Sequence, residues 1–166
     1  MKTIISDKIV RIIRNRKRLE KILNLKINNR GKDVSINGTP EDEDTGGKVI
    51  DAMNFGFSYT HAITIKTENR VFEIINIKDF SKKHDRERIR GRLIGKHGKA
   101  LSTLSKLADS YLEMNENQIG LITFPENLKF ATEAIVLIIQ GSKHSNVYKG
   151  MEKNQPRPIE DLGLRE

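Results

Sequence analysis

Two glycines three residues apart, Gly95 and Gly98 in GRLIGKHGKALSTL, stand between two segments with helical apolar spacing. This feature limits the possible folds more than any other. Upstream, DRERIRGRLI reads as a basic helix, and downstream Leu101, Leu104, Leu107 and Ala108 fall on one helical face. The two helices must meet at a turn that is bare or cationic. A β-carbon at either glycine would crowd anything approaching closely, and glycine accepts backbone angles closed to other residues. The N–H groups that open the second helix can face a phosphate there. Lys96 and His97 lie between the glycines and Lys99 follows, adding charge and donors, while Arg92, one turn back, is placed to reach the same backbone. A neutral His97 can donate, accept or stack on a base.

Other glycine loops fit less well. A dinucleotide fingerprint needs a strand, then G-x-G-x-x-G, then a helix; here two glycines follow a helical pattern. A phosphate-binding P-loop needs G-x-x-x-x-G-K-[ST], and this segment is G-x-x-G-K followed by Ala100. The plain alternative is a glycine-softened helix junction with no ligand.

The rest of the chain arranges itself around two such helix pairs. Residues 2–5, KTII, form a short strand, and Ile9, Ile12 and Ile13, then Leu19, Ile22 and Leu23, give two helical faces. LKINN and DVSING alternate apolar and polar residues around NRGK, a hairpin turn. TPEDEDTGG (39–47) reads as a polar acidic loop, after which KVIDAMNFGF resumes helical spacing. The second half repeats the order: VFEIINI, two helices, the strands YLEMN and QIGLITF, and a helix opened by Phe124-Pro125-Glu126 and stopped by Gly141. The order β-α-α-β-β-α thus occurs twice, at about 2–65 and 70–148, giving an α+β fold with one three-stranded antiparallel sheet and three helices per half. The tail from 150 to 166, with Pro156 and Pro158 and little to bury, is expected to be flexible.

Charge favours a polyanion. The formal net charge is +8, but residues 8–21 and 81–99 each carry +6, so the remainder nets −4. Focused charge steers a polyanion and gains from counterion release; nucleic acid ranks above an acidic protein, and a membrane surface last. No run is long enough to span a bilayer and no apolar stretch has signal-peptide length, so a soluble, intracellular protein is expected. The absence of cysteine removes disulfides, thiol catalysis and cysteine zinc sites.

Nothing points to an enzyme, a cofactor or a metal. Glu41, Asp42, Glu43 and Asp44 sit in a stretch read as loop, without the twelve-residue spacing of a calcium site. His61, His84, His97 and His144 are scattered, and no serine occupies a G-x-S-x-G elbow.

LIGKHGKALSTL resembles the core signature of KH domains, which bind single-stranded RNA or DNA, with Ile94, Gly95, Gly98 and Leu101 at its positions. The wider set FEIINIKDF, RGRLIGKHGK and GSKHSNVY resembles the two-KH-domain proteins of small-subunit ribosome maturation in archaea and eukaryotes. The compact N-terminus is similar to the archaeal members. The resemblance implies two tandem type I KH domains, at 1–68 and 69–149. It implies a non-catalytic, cytoplasmic binder of small-subunit rRNA near its 3′ end. Its partner would be an rRNA-processing endonuclease or a translation initiation factor. RNA would lie against Arg92, Ile94, Gly95, Lys96, His97, Gly98, Lys99 and Leu101, opposite the strand YLEMN. Lys143, His144 and Tyr148 could rim the groove, with capping or packing an equal alternative for His144. Tyr111 is read as packing rather than stacking on a base.

The first half lacks the glycines. Aligned on Ile12-Ile13, its loop is Arg14-Asn15-Arg16-Lys17; aligned on the leucines, it is one residue shorter. Close approach of a phosphate should be lost, but Arg11, Arg14, Arg16, Lys17 and Arg18 remain to hold RNA loosely or to meet an acidic partner. The competing reading of the whole chain is a protein-interaction adaptor.

Overall fold

The computed structural model describes residues 1–155, apart from the side chain of Lys83. The expected flexible tail lies, from residue 156 onward, outside the described residues.

The chain folds as a mixed α+β protein with two three-stranded antiparallel sheets. The first half runs β1 (Lys2–Ile5), α1 (Ile9–Arg14), α2 (Arg16–Leu23), β2 (Lys26–Arg30), β3 (Asp33–Asn37) and α3 (Pro40–Phe55). Two short helices follow, α4 (Tyr59–Ala62) and α5 (Thr64–Thr67), which the apolar spacing did not reveal. The second half runs β4 (Val71–Asn76), α6 (Arg86–Ile94), α7 (Lys99–Leu107), β5 (Tyr111–Asn115), β6 (Gln118–Thr123), α8 (Leu128–Ile139) and α9 (His144–Lys153). Strand orders are β1-β3-β2 and β4-β6-β5, so the third strand of each half is central. The chain divides into two compact units: Met1–Asn76 with Tyr111–Thr123, and residues 77–110 with 124–155.

In the first unit the hairpin forms where NRGK predicts it, with Arg30 opposite Asp33 and Gly31 at φ +59°. Alternation sends Ile27, Val34 and Ile36 inward, where they join Leu19, Leu23, Val49, Ile50 and Met53 in one core. Strand β6 departs from alternation. Ile119 through Thr123 are all buried, as expected of a central strand covered on both faces. Gly120 admits the ring of Phe55, because a β-carbon there would lie 2.6 Å from Phe55 Cε1. Phe55, Phe57 and Phe72 pack with ring centroids 5.8–6.0 Å apart.

Three expectations are corrected. The stretch 39–47 is the start of α3, not a loop. Thr39 caps the helix, its hydroxyl accepting from the Asp42 N–H at 3.2 Å; Pro40 takes the first turn; Glu41, Asp42 and Glu43 sit at the positive end. The Glu43 carboxyl is held below its ordinary range by the chain's terminal amine, at 3.0 Å, and by the Gly38 N–H. Gly46 and Gly47, which look like helix breakers, are buried within α3. A β-carbon on Gly46 would stand 2.2 Å from Leu25 Cδ1, so the glycine permits close packing. Second, Ile13 and Ile22 do not share the buried face of Ile12, Leu19 and Leu23; they are 45% and 38% exposed. Third, residues 150–153 continue α9 instead of beginning a flexible tail, because Val147 and Met151, four apart, are both buried.

The cap on α3 is testable. Thr39→Ala removes the side-chain acceptor of the Asp42 N–H and should cost about 1 kcal/mol, read as a lowered urea midpoint at constant slope. Thr39→Asp should recover most of the loss. An unchanged midpoint for Thr39→Ala would mean that the cap carries no stability.

Candidate nucleic-acid interface

In the second unit α6 ends at Ile94 and α7 begins at Lys99, so the whole connection is Gly95–Gly98. Gly95 has φ +74° and ψ 177°, a backbone region open essentially to glycine alone. A β-carbon there would also lie 2.5 Å from Ala100 Cβ and 2.7 Å from Ala100 N. Gly98 is left-handed, at φ +72° and ψ 12°, yet an added β-carbon would meet nothing within 4 Å. His97 is left-handed too, at φ 55° and ψ 30°, a conformation that costs an L-residue roughly 1–2 kcal/mol. The Gly95 N–H donates to Gly91 O at 2.8 Å, and the Gly98 N–H donates to Gly95 O at 3.2 Å.

The turn is therefore tight, bare and outward-facing. Lys96, His97 and Lys99 are exposed and, with Gly98 and Ser102, line a shallow concavity. No side chain caps the N-terminus of α7, and its first turn holds no acid. Among the described residues none of the three basic side chains forms an ion pair. The positive helix end and the unneutralised charge make a site suited to an anion. Ile94 and Leu101 flank the turn half-buried, above the fully buried Leu93 and Leu104.

Arg92 has a different task from the one its position suggested. Its Nη1 donates to Ile138 O at 2.6 Å and its Nη2 to Ser142 O, carbonyls at and just past the C-terminal end of α8. The guanidinium fork thereby ties α6 to two carbonyls at once; Ile138 O also accepts the Gly141 N–H at 3.2 Å. His144 completes the arrangement. Its Nε2 lies 2.8 Å from Arg92 O; a carbonyl only accepts, so Nε2 carries the hydrogen. Of the two readings of His144, capping is the one observed. Tyr148, 6.0 Å from the His144 ring, is half-buried, and burial pushes its hydroxyl above the ordinary tyrosine range.

In the first unit α1 and α2 meet at a single residue, Asn15, with φ −105°, so neither of the loops considered from sequence is present. Arg11 there repeats the clamp of Arg92: its Nη1 donates to Gly56 O at 2.7 Å and to Phe57 O at 3.1 Å, just past the end of α3. Each arginine immediately precedes an apolar pair, Ile12-Ile13 or Leu93-Ile94, a signal the sequence did contain. Arg16 is also engaged, with Glu20 at 3.3 Å and Asn28 at 3.4 Å. Glu20 accepts the Ile27 N–H at 2.9 Å, and this bond first, then Arg16, holds its carboxyl below the usual range. Arg14, Lys17 and Arg18 are left exposed. Tyr111 packs flat on His61, with centroids 3.9 Å apart, and Arg70 sits 4.7 Å from the Tyr111 ring centre.

Comparison with known proteins gives consistent matches. A family model described as the eukaryotic-type KH domain (KH-domain type I) matches residues 71–156, just over half of the chain. A KH domain-containing protein of Methanocaldococcus jannaschii is 26% identical over 149 residues, which cover 86% of this chain and 66% of that protein. The pre-rRNA-processing protein PNO1 of Coccidioides immitis is 27% identical over 135 residues, 76% of this chain and 52% of that one. The chain thus spans between about half and just under two thirds of the curated relatives it matches. The crystal structure of Dim2p from Pyrococcus horikoshii superposes with a TM-score of 0.83 at 25% identity, covering 92% of this chain and 98% of that one. A chain from the a/eIF2alpha–aDim2p–rRNA complex of the same organism superposes with a TM-score of 0.82 at 24% identity, with 92% of each chain covered, a likeness of fold.

The two glycines should respond unequally to the same substitution. Gly95→Ala meets both a closed backbone region and the Ala100 backbone, and should cost at least about 2 kcal/mol. Gly98→Ala meets only the left-handed penalty, about 1–2 kcal/mol at most. Equilibrium denaturation of the two variants side by side checks the order; equal losses would contradict the geometry described.

Proposed function

The chain belongs to the eukaryotic-type KH-domain family, KH type I, and from that premise we propose that it holds single-stranded RNA at the Gly95–Gly98 turn and performs no catalysis. The observation that carries this reading is the turn itself: two glycines at positive φ, three exposed basic side chains without an acidic neighbour, and an uncapped helix start behind them. A bare turn lets a phosphodiester backbone come within hydrogen-bonding distance of main-chain N–H groups, and Lys96 and Lys99 add charge-assisted contacts. Gly95, Lys96, His97, Gly98 and Lys99 form the backbone-holding set, with Ile94 and Leu101 as the apolar surface beside it. Arg92 and His144 act as positioning residues that fix the end of α6.

The finer reading is of two KH-type halves in tandem, at 1–68 and 69–149, the first without the glycine turn. The RNA is small-subunit rRNA near its 3′ end. Support comes from the name of the Coccidioides relative, a pre-rRNA-processing protein, and from the rRNA in the Pyrococcus complex. The protein partner is a translation initiation factor or an rRNA-processing endonuclease; the factor in that same complex favours the first. Such a task belongs in the cytoplasm. Among the described residues no helix is long and apolar enough to cross a membrane.

Replacing Lys96 and His97 by aspartate tests the site without touching either glycine. Each lost charged hydrogen bond is worth about 1.5–3 kcal/mol, and repulsion of phosphate adds to it. Affinity for a single-stranded RNA from the small-subunit rRNA 3′ end should fall at least about tenfold to a hundredfold, at ~1.4 kcal/mol per decade. Circular dichroism and melting should match the parent. A folded variant that binds this RNA as tightly as the parent would falsify the assignment of the turn.

A further inference from the structure

The first unit carries a cleft that the glycine turn does not explain. It lies between the outer side of α1 and the segment Ser58–Thr60. Four basic side chains line it: Lys8, Arg11, Arg14 and Arg18. Tyr59 forms an aromatic wall, with the Arg18 guanidinium 5.7 Å from its ring centre. One carboxylate, Asp7, lines the cleft as well, so its lining holds four cationic side chains against one acid. Asp7 is paired with Lys32 at 2.9 Å, and Glu20 is engaged by Arg16 and the Ile27 N–H. Arg16 itself is directed to Asn28 on β2. Lys8, Arg14 and Arg18 form no ion pair among the described residues. Of the unpaired members of the basic run 8–21, Lys8, Arg14 and Arg18 gather at one concavity, while Lys17 and Lys21 are exposed outside it.

We propose that this cleft is a second contact for single-stranded RNA, with phosphates held by Lys8 and Arg14 and one base lying against the Tyr59–Arg18 pair. The inference rests on the RNA reading above and extends it to a unit that lacks the glycine turn. The chemistry differs from that of the turn: long cationic side chains replace bare backbone, so the strand is held loosely and with little sequence preference. A planar aromatic beside a guanidinium is a stacking platform that any base can use. The cleft is less suited to the centre of a protein interface. Val10 is the only aliphatic side chain lining it, too little apolar surface for a desolvated core. Arg11 is fixed to the carbonyls of Gly56 and Phe57, so it stiffens the floor while adding to the field.

The test compares five proteins: the parent, Arg14→Gln/Arg18→Gln, Tyr59→Leu, the turn variant Lys96→Asp/His97→Asp, and Lys66→Gln/Lys129→Gln as a control with the same loss of net charge as the arginine pair. Both cleft arginines are exposed, so folding should survive, with melting as the check. The probes are two nested single-stranded RNAs from the small-subunit rRNA 3′ end. One is about five nucleotides, near the length one KH site holds; the other is about fifteen. The cleft variant should bind the longer RNA at least about fivefold more weakly than the charge control, and match it on the shorter one. Its slope of log K against log salt for the longer RNA should be shallower by about 0.7, for the one phosphate contact, that of Arg14, which the variant removes. Tyr59→Leu should weaken the longer RNA without changing that slope. If the cleft variant and the charge control bind the longer RNA equally while the turn variant loses it, the cleft is not an RNA contact and the turn assignment stands. If the parent binds neither RNA, both readings fall together.

Discussion

The backbone of Gly95 passes so close to the start of α7 that a β-carbon would lie 2.7 Å from the Ala100 amide nitrogen. That approach governs the second unit. It forces α6 to end and α7 to begin within four residues and leaves Lys96 and His97 exposed. The strain is local: positive φ at Gly95, His97 and Gly98. It is opposed by the apolar contacts of Leu93, Ala100 and Leu104 below and by the bolt of Arg92 and His144 behind. A turn held this way is organised before any ligand arrives, so binding need not supply the ordering entropy of a flexible loop.

The two halves share the bolt but not the turn. Arg11 and Arg92 occupy the same place relative to the apolar pair and close on the same feature, the carbonyls at or past the end of the half's longest helix. Where glycines follow, the chain makes a cavity-edge turn of four residues; where Arg14-Asn15-Arg16 follow, the helices run together through Asn15 with no left-handed residue. A side chain at the first position after the pair is incompatible with the backbone angles of Gly95. Without a glycine there, the first half lacks the turn while its two helices still pack on the core through Ile12, Leu19 and Leu23.

Much of this was legible in the residues because its physics is local. Period-two alternation placed β2 and β3, NRGK placed their hairpin, and the helix–GxxG–helix pattern placed α6, the turn and α7. What escaped depended on neighbours distant in sequence. TPEDEDTGG reads as a loop because it is polar and acidic; its glycines are small so that Leu25 and Lys2 can approach α3. Ile13 and Ile22 fit a helical face in projection, but in the fold both side chains are exposed while Ile12, Leu19 and Leu23 are buried. Arg92 was assigned to phosphate from its one-turn spacing; its actual partners are 46 and 50 residues away, beyond the reach of any spacing rule. The short helices α4 and α5 and the final helix α9 have too few apolar positions to show a period, though Val147 and Met151 are a four-residue pair in plain view.

The most direct measurement follows the backbone amides of the turn. In a ¹⁵N-labelled sample titrated with a short single-stranded RNA, the N–H resonances of Gly95, Lys96, Gly98, Lys99 and Ala100 should shift together and saturate, because the proposed phosphate track runs along this turn. Duplex RNA of the same sequence should leave them nearly still. Saturable binding of the single strand with these amides unmoved, and shifts confined to other surfaces, would contradict the claim that the Gly95–Gly98 turn is where this protein meets RNA.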